Sequence, residues 1–299
     1  MKSYLYVALI SVFSITAVNA QGCSDAGVCS IDGHYDDEVE VTKNRVEVGT
    51  VFGAGDADIT YIAPYVSYTR NFNAKWATSV KITSSFASGD FGDKGSIGDA
   101  FLTANYRPQS TESMLKWSYT AGIKIPFNNA DLDINGNPLP MDYQSSLGTY
   151  DFLGGVSANY RKWDFSAAIQ VPVINENENR FVREGSGSTD FVTTNLFERK
   201  PDALLRGIYT ITKNKFTFKP NILVIYHLGE DTYEDALGNN QSIDGSDGVT
   251  VNGNLISSYN FSSGSSIQLS IATPFVIRDE RPDGLTRAWT AGVSYIASF

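Results

Sequence analysis

From Arg45 to the last residue the chain alternates between apolar and polar positions. In the run from Trp76 to Phe86 the apolar side chains are Trp76, Val80, Ile82 and Phe86. From Lys116 to Phe127 they are Trp117, Tyr119, Ala121, Ile123, Ile125 and Phe127. The run from Trp163 to Val171 repeats the pattern, as does Phe216 to Tyr226. A period of two puts successive side chains on opposite faces of a strand, so each run predicts a β-strand with one apolar face. Comparable runs at 45–54, 150–160, 251–261, 267–275 and 287–299, with less regular ones at 58–70, 97–107 and 202–212, bring the number to about twelve. Helical periodicity is scarce after Gln21.

Each run is about ten residues long. That exceeds the five or six usual in soluble sheets and matches a tilted strand crossing a bilayer. The opposite faces carry Glu47, Lys81, Asp99, Arg107, Lys124, Asp151, Asp164, Arg206 and Lys219, which is too polar for a sandwich core. The expected fold is therefore all-β: a transmembrane antiparallel up-and-down β-barrel of about twelve strands, apolar side to lipid and polar side to a wet lumen. Together with Arg161 and His227 these charged residues are the expected lumen lining.

The connections alternate in length. Short ones fall at 71–75, 108–114, 161–162, 213–215 and 262–265; long ones at 87–96, 128–147, 172–201, 228–247 and 276–287. Only the connection near Gly55 breaks the rule. Short periplasmic turns and long external loops are the outer-membrane arrangement, and an even strand count leaves both termini periplasmic. Trp76, Trp117 and Trp163 each open a strand after a short turn, and Phe86, Phe127, Tyr226 and Phe275 close strands at the other end, as two interfacial aromatic girdles.

The first residues change the picture of the whole. Met1-Lys2, an apolar stretch from Leu5 to Val18 and the small-x-small site Val18-Asn19-Ala20 form a secretory signal peptide, 1–20. The stretch is too short to be a membrane helix. Residues 21–44 form a periplasmic leader or a plug reaching into the bore, and 45–299 form the barrel. The two cysteines, Cys23 and Cys29, form a disulfide in an exported chain, unless Cys23 is a lipidated N-terminus.

The formal net charge is -10. An acidic chain is a poor match for nucleic acid. Barrel hydrolases need a histidine base, and the chain has two histidines. His34 precedes the barrel. His227, in "LVIYHLGEDTYED", ends a strand at the outer rim, where Glu230 or Asp231 would orient it; no serine elbow stands near, so the reading is a rim histidine. "DGSDG" (Asp244 to Gly248) lacks the spacing and closing Glu of a calcium loop and reads as a turn. No catalytic, cofactor or metal residue is assigned. Pro126, Pro172 and the "REGSGSTDF" loop would shape the mouth of a pore narrowed by side chains and loops.

Three stretches, "GSIGDAFLTANYR" (Gly95 to Arg107), "GIKIPFN" (Gly122 to Asn128) and "GTYDFLGGVSANYRKWDFSAAIQVP" (Gly148 to Pro172), resemble the outer-membrane barrel transporter family of the phenol meta-degradation type, loosely akin to the long-chain fatty-acid transporters. The leader "CSDAGVC" resembles its members from Bacteroidetes-type bacteria. The resemblance implies passive uptake of a small solute, hydrophobic ones included, across the outer membrane, and names no binding residue. The alternative is a non-conducting surface protein whose acidic loops bind a partner. Implied partners are outer-membrane lipid, a small-molecule solute and the barrel assembly machinery. The ending "RAWTAGVSYIASF" resembles the signal that machinery reads, with Tyr295 and Phe299 on the lipid-side row. Deleting Phe299 is expected to cut outer-membrane assembly, measured as folded protein per cell, more than it alters any conductance of the protein that does assemble.

Overall fold

The computed structural model describes residues 42–299 other than 56, 109–112, 263 and 284–286. The signal peptide, nearly all of the leader and the Cys23–Cys29 pair lie outside the described residues. The strands are β1 (Asn44–Gly55), β2 (Thr60–Asn71), β3 (Trp76–Gly89), β4 (Gly92–Tyr106), β5 (Leu115–Pro126), β6 (Asp133–Ile134), β7 (Asn137–Pro138), β8 (Thr149–Tyr160), β9 (Trp163–Asn175), β10 (Asp202–Tyr209), β11 (Ile211–Lys213), β12 (Phe216–His227), β13 (Thr232–Glu234), β14 (Asn240–Ser242), β15 (Gly248–Asn260), β16 (Ser265–Val276) and β17 (Arg287–Ser298).

The sheet runs in sequence order, antiparallel throughout, with the pairs β6–β7 and β13–β14 set apart in loops. β10 and β11 are two parts of one strand, both paired with β12, so the wall has twelve strands. It closes between first and last: Arg45 faces Ser298, Val48 faces Tyr295 and Phe52 faces Ala291. Closure removes the unpaired edges that lipid would not satisfy.

The predicted faces hold. Val48, Ile82, Trp117, Phe165, Ile222 and Tyr295 are all exposed on the outer wall. Trp163 packs on Tyr209 with ring centroids 4.8 Å apart, and Trp76 on Tyr106 at 4.7 Å, near the short turns. One predicted loop is corrected. Residues 87–96 are not a long connection: β3 and β4 continue past the rim with Ala87 facing Lys94 and Gly89 facing Gly92, leaving a two-residue tip. Alternation weakens there because the apolar face no longer meets lipid, so the pattern ends before the ladder does.

Three long loops fold over the same end. Residues 127–148 carry β6–β7 and a 3-10 turn at Met141–Tyr143; residues 176–201 carry the short helix α1 (Arg183–Ser186); residues 228–247 carry β13–β14. They share apolar cores with the strands beneath. Leu139, Tyr143, Phe181 and Phe191 pack with Ile59, Tyr61 and Ala87, while Ala130, Met141, Phe197 and Ile243 form a second cluster. Phe91, at the β3–β4 tip, lies edge-on to Tyr143 and Phe181 at 5.8 and 5.9 Å.

The "NENEN" run stitches two of these loops. Asn175, Asn177 and Asn179 each accept from the backbone N–H two residues on, at 3.1, 2.9 and 3.1 Å. Their amides donate across to Phe197 O, Leu147 O, and Ala130 O with Leu139 O. The intervening Glu176 and Glu178 face solvent. A side-chain amide that both accepts and donates in this way replaces the ladder a loop lacks.

On the inner wall Tyr61 and Tyr65 of β2 lie over Gly53 and Gly49, their partners on β1. A Cβ on Gly53 would come within 2.0 Å of the Tyr61 hydroxyl. Overpacking of this kind costs roughly 1–3 kcal/mol. Gly53→Val is therefore expected to lower the unfolding midpoint of the detergent-solubilised barrel in urea. Adding Tyr61→Ala should recover most of the loss, and a neutral single variant would show that the ring is free to move.

Candidate functional site

The inner face of the wall from β4 to β12 is layered along the barrel axis. Nearest the short turns stand Arg107, Lys116, Asp164 and Lys219, all half-buried. Above them lie hydroxyls and amides: Ser157 and Ser166 at 2.9 Å, Thr120 donating to Asn105 at 2.5 Å, and Arg206 donating to Asn221 at 3.2 Å. Next comes an apolar layer of Phe101, Leu153, Ala168, Leu204 and Leu223, with Ile225 against it. This inward apolar layer was not expected from the sequence, where the inner faces read as polar throughout.

The last layer is ionic and dry. Lys124, 1% exposed, sits 3.0 Å from Asp151 and donates to Thr149 at 2.8 Å; Gln170 donates to Asp151. His227, also 1% exposed, holds Asp202 on Nδ1 at 2.6 Å and Asp231 on Nε2 at 2.8 Å. Two carboxylate acceptors on two ring nitrogens fit the doubly protonated imidazole. Arg199 pairs with Asp202 and stands 3.5 Å from Asp283, which Arg278 also binds at 2.8 Å. Asp231 further accepts from the Lys200 N–H at 2.8 Å.

These groups come from β5, β8, β9, β10, β12 and three loop segments. The network thus pins residues 199–201, 228–247 and 277–283 to the strand ends. Burial alone would raise the Asp283 carboxyl, but Arg278 and Arg199 outweigh it and hold it well below the usual carboxylate range. Burial would likewise lower Arg199, but Asp202 and Asp283 outweigh it and raise it. At Asp231 burial wins over His227, and the carboxyl is raised.

The expected lining residues divide between these layers. Lys124, Asp151 and His227 come together in the ionic layer; Asp99 stands at the same level, accepting from Ser146 of the loop above at 2.6 Å. Glu47 and Lys81 face each other on β1–β3 through Tyr65: its hydroxyl donates to Glu47 at 2.7 Å, and the Lys81 ammonium lies 4.6 Å from its ring centre. Arg161 is a correction. It occupies the two-residue β8–β9 turn at φ 58°, exposed, with its guanidinium 5.3 Å from the Tyr160 ring. The turn interrupts the alternation, so parity does not carry through it.

The carboxylates holding His227 are Asp231 and Asp202; Glu230 takes no part in these two bonds. Asp202, Arg199, Arg278 and Asp283 were not singled out from the sequence. The one available signal was parity: Asp202, Leu204 and Arg206 share the inner face of one strand. "DGSDG" is a turn: Gly245 has φ +81°, and the Ser246 hydroxyl donates to Ile243 O at 2.6 Å while accepting from the Asp231 N–H at 2.8 Å.

No protein-family model matches the chain, and no curated protein matches it in sequence. Solved structures do resemble it. An outer-membrane channel from Pseudomonas putida F1 superposes with a TM-score of 0.59 at 14% identity, over 87% of this chain and 97% of that one. The NanC porin superposes at 0.49 with 10% identity, over 85% and 98%, and the KdgM porin at 0.44 with 10% identity, over 85% and 99%. The likeness to the first is one of fold.

Removing one partner of a buried ion pair costs roughly 3–5 kcal/mol, because the remaining charge is left uncompensated. Asp283→Asn is expected to loosen the loops while the wall stays folded, seen as faster protease cleavage within 228–247 without loss of strand signal. Its depressed carboxyl gives stability that is complete above the unfolded value of about 3.9. That stability is lost as pH falls through the lower folded value. Asp231, being raised, works in the opposite sense and loses its contribution as pH rises. Loop cleavage should accordingly be slow at mildly acid pH and accelerate only well below the ordinary carboxylate range.

Proposed function

We propose that this chain is a bacterial outer-membrane channel giving passive passage to a small solute, its short turns and both ends in the periplasm and its long loops outside. The observation that carries the reading is where water reaches the charges. At the loop end the inward charges are buried and paired. Toward the short turns Arg45, Glu47, Lys81, Arg206 and Lys219 keep partial exposure inside the wall, with 27% for the Arg45 side chain and 17% for that of Glu47. A dry barrel would have to pair and desolvate them fully; a water-filled lumen does not. The fold shared with the Pseudomonas putida F1 channel is consistent with this. Folding into the membrane would depend on lipid around the apolar wall and on assembly machinery reading the β17 end.

One feature favours a second reading, a non-conducting surface protein that binds a partner through its loops: the loops are packed into cores of their own. A hydrolase reading finds no support at His227, because both its nitrogens are held by carboxylates and neither is left to take a proton from a nucleophile.

Planar-bilayer recording separates the two main readings. The purified protein is expected to give discrete conductance steps, and a variant lacking 232–242 to give larger ones. A membrane that stays silent with both proteins would rule out the channel and leave the surface-binding reading.

A further inference from the structure

The chain is acidic overall, at -10, yet its wet interior is not. Among the described residues, the inward charges toward the short turns begin with Arg206 and Lys219 on β10 and β12, two residues from Leu204 and from Asn221 on the same inner rows. On the neighbouring strands Arg107 follows β4 in the row of Phe101, Thr103 and Asn105, and Lys116 opens the row of Ser118 and Thr120 on β5. Across the lumen Arg45 and Lys81 complete the set. Against six cations stand two carboxylates, Glu47 and Asp164, so the balance is 6 − 2 = +4.

Both carboxylates are already engaged. Glu47 takes the Arg45 guanidinium at 3.1 Å and the Tyr65 hydroxyl at 2.7 Å. Asp164 accepts the Asn159 amide at 2.7 Å. Among the described residues the facing wall adds no charge: the inward groups of β15, β16 and β17 in this half include Asn254, Ser266, Gln268, Ser270 and Ser294. The acids that make the chain negative sit largely on the loops, where Glu176, Glu178, Asp244 and Asp247 are exposed. Salt screens such surface charges within about 8 Å at physiological ionic strength. Charges inside a narrow lumen with low-dielectric walls keep their field, and one sign of charge there concentrates the opposite ion.

We infer that the lumen selects anions: the solute class this channel passes is small organic or inorganic anions, carboxylates among them, steered by Arg206, Lys219, Lys81 and Arg107. The inference rests on the channel reading above and narrows its solute. It does not require any of these cations to lack a protein partner, because the net field of the interior, and not a single vacant group, is what favours the anion.

The test is the reversal potential of single channels under a potassium chloride gradient. The expected result is a chloride-over-potassium permeability ratio of several-fold. Arg206→Gln combined with Lys219→Gln, which removes two of the four net charges, should roughly halve the logarithm of that ratio; Lys81→Gln on the opposite wall should lower it as well, and serves if the double variant does not assemble. Benzoate should carry current more readily than benzylammonium of similar size. Steps that are non-selective or potassium-selective, or a ratio that no variant moves, would overturn the inference while leaving the channel intact. A silent bilayer would instead remove the channel reading, and the inference with it.

Discussion

The closing seam between β1 and β17 is the constraint from which the rest follows. A bilayer offers no hydrogen-bond partner to backbone amides, and each one left open there costs several kcal/mol. The sheet must therefore return to its own first strand, and it does so to the final residue: Phe299 N donates to Asn44 O at 2.9 Å, and Asn44 N to Phe299 O at 2.8 Å. The aromatic end of this ladder, 67% exposed, belongs at the membrane interface. Once closed, the outer surface has one requirement, which is to be apolar at alternate positions. The inner surface is left free to vary.

That freedom is used unevenly. The apolar loop cores provide stabilisation, at about 1.5–3 kcal/mol for each fully buried large side chain, against the entropy of ordering long connections. The ion network above the Phe101–Leu223 layer has a different role. Desolvating Lys124, Asp151, Arg199, Asp202, Asp231 and Asp283 consumes most of what their attraction returns. What the network adds is position, since each loop must arrive with the right charge at the right strand end. The "NENEN" ladder supplies the backbone partners that such loops would otherwise lack.

The contrast between what alternation revealed and what it hid has a physical cause. Lipid on one side and water on the other force the period-two pattern, so the strand count, the outward rows through Trp117 or Phe165, and the inward rows through Lys124 or Asp151 were all legible. Where the chain leaves the lipid, the pattern stops reporting structure. The β3–β4 extension beyond Ala87 read as loop, and Arg161 was carried through a turn that resets parity. His227 was legible as inward, but Asp202 lies 25 residues earlier and reaches it through the β10–β12 register. No local motif encodes that meeting. The inward apolar layer was missed for a related reason: Phe101, Leu153, Ala168, Leu204 and Leu223 stand on five different strands among polar inward neighbours, and they make a layer only when those strands are aligned.

The two halves of the wall also differ in the chemistry and burial of their inner rows. On β9, β10 and β12 the inner row passes from half-buried Asp164, Arg206 and Lys219 to Ala168, Leu204 and Leu223, which are fully enclosed. On β16 the inner row of Ser266, Gln268, Ser270 and Ala272 stays half-buried until Pro274. The ion network seats loops on the ends of β5, β8, β9, β10 and β12, while the side of β2 and β3 carries the apolar loop core around Tyr61 and Tyr143. In the channel proposed above, a solute would meet hydroxyls and amides on the β16 side and guanidinium and ammonium groups on the side of β10 and β12. Inner rows of such different chemistry lie behind one uniformly apolar outer face, so either can change without disturbing the row that faces lipid.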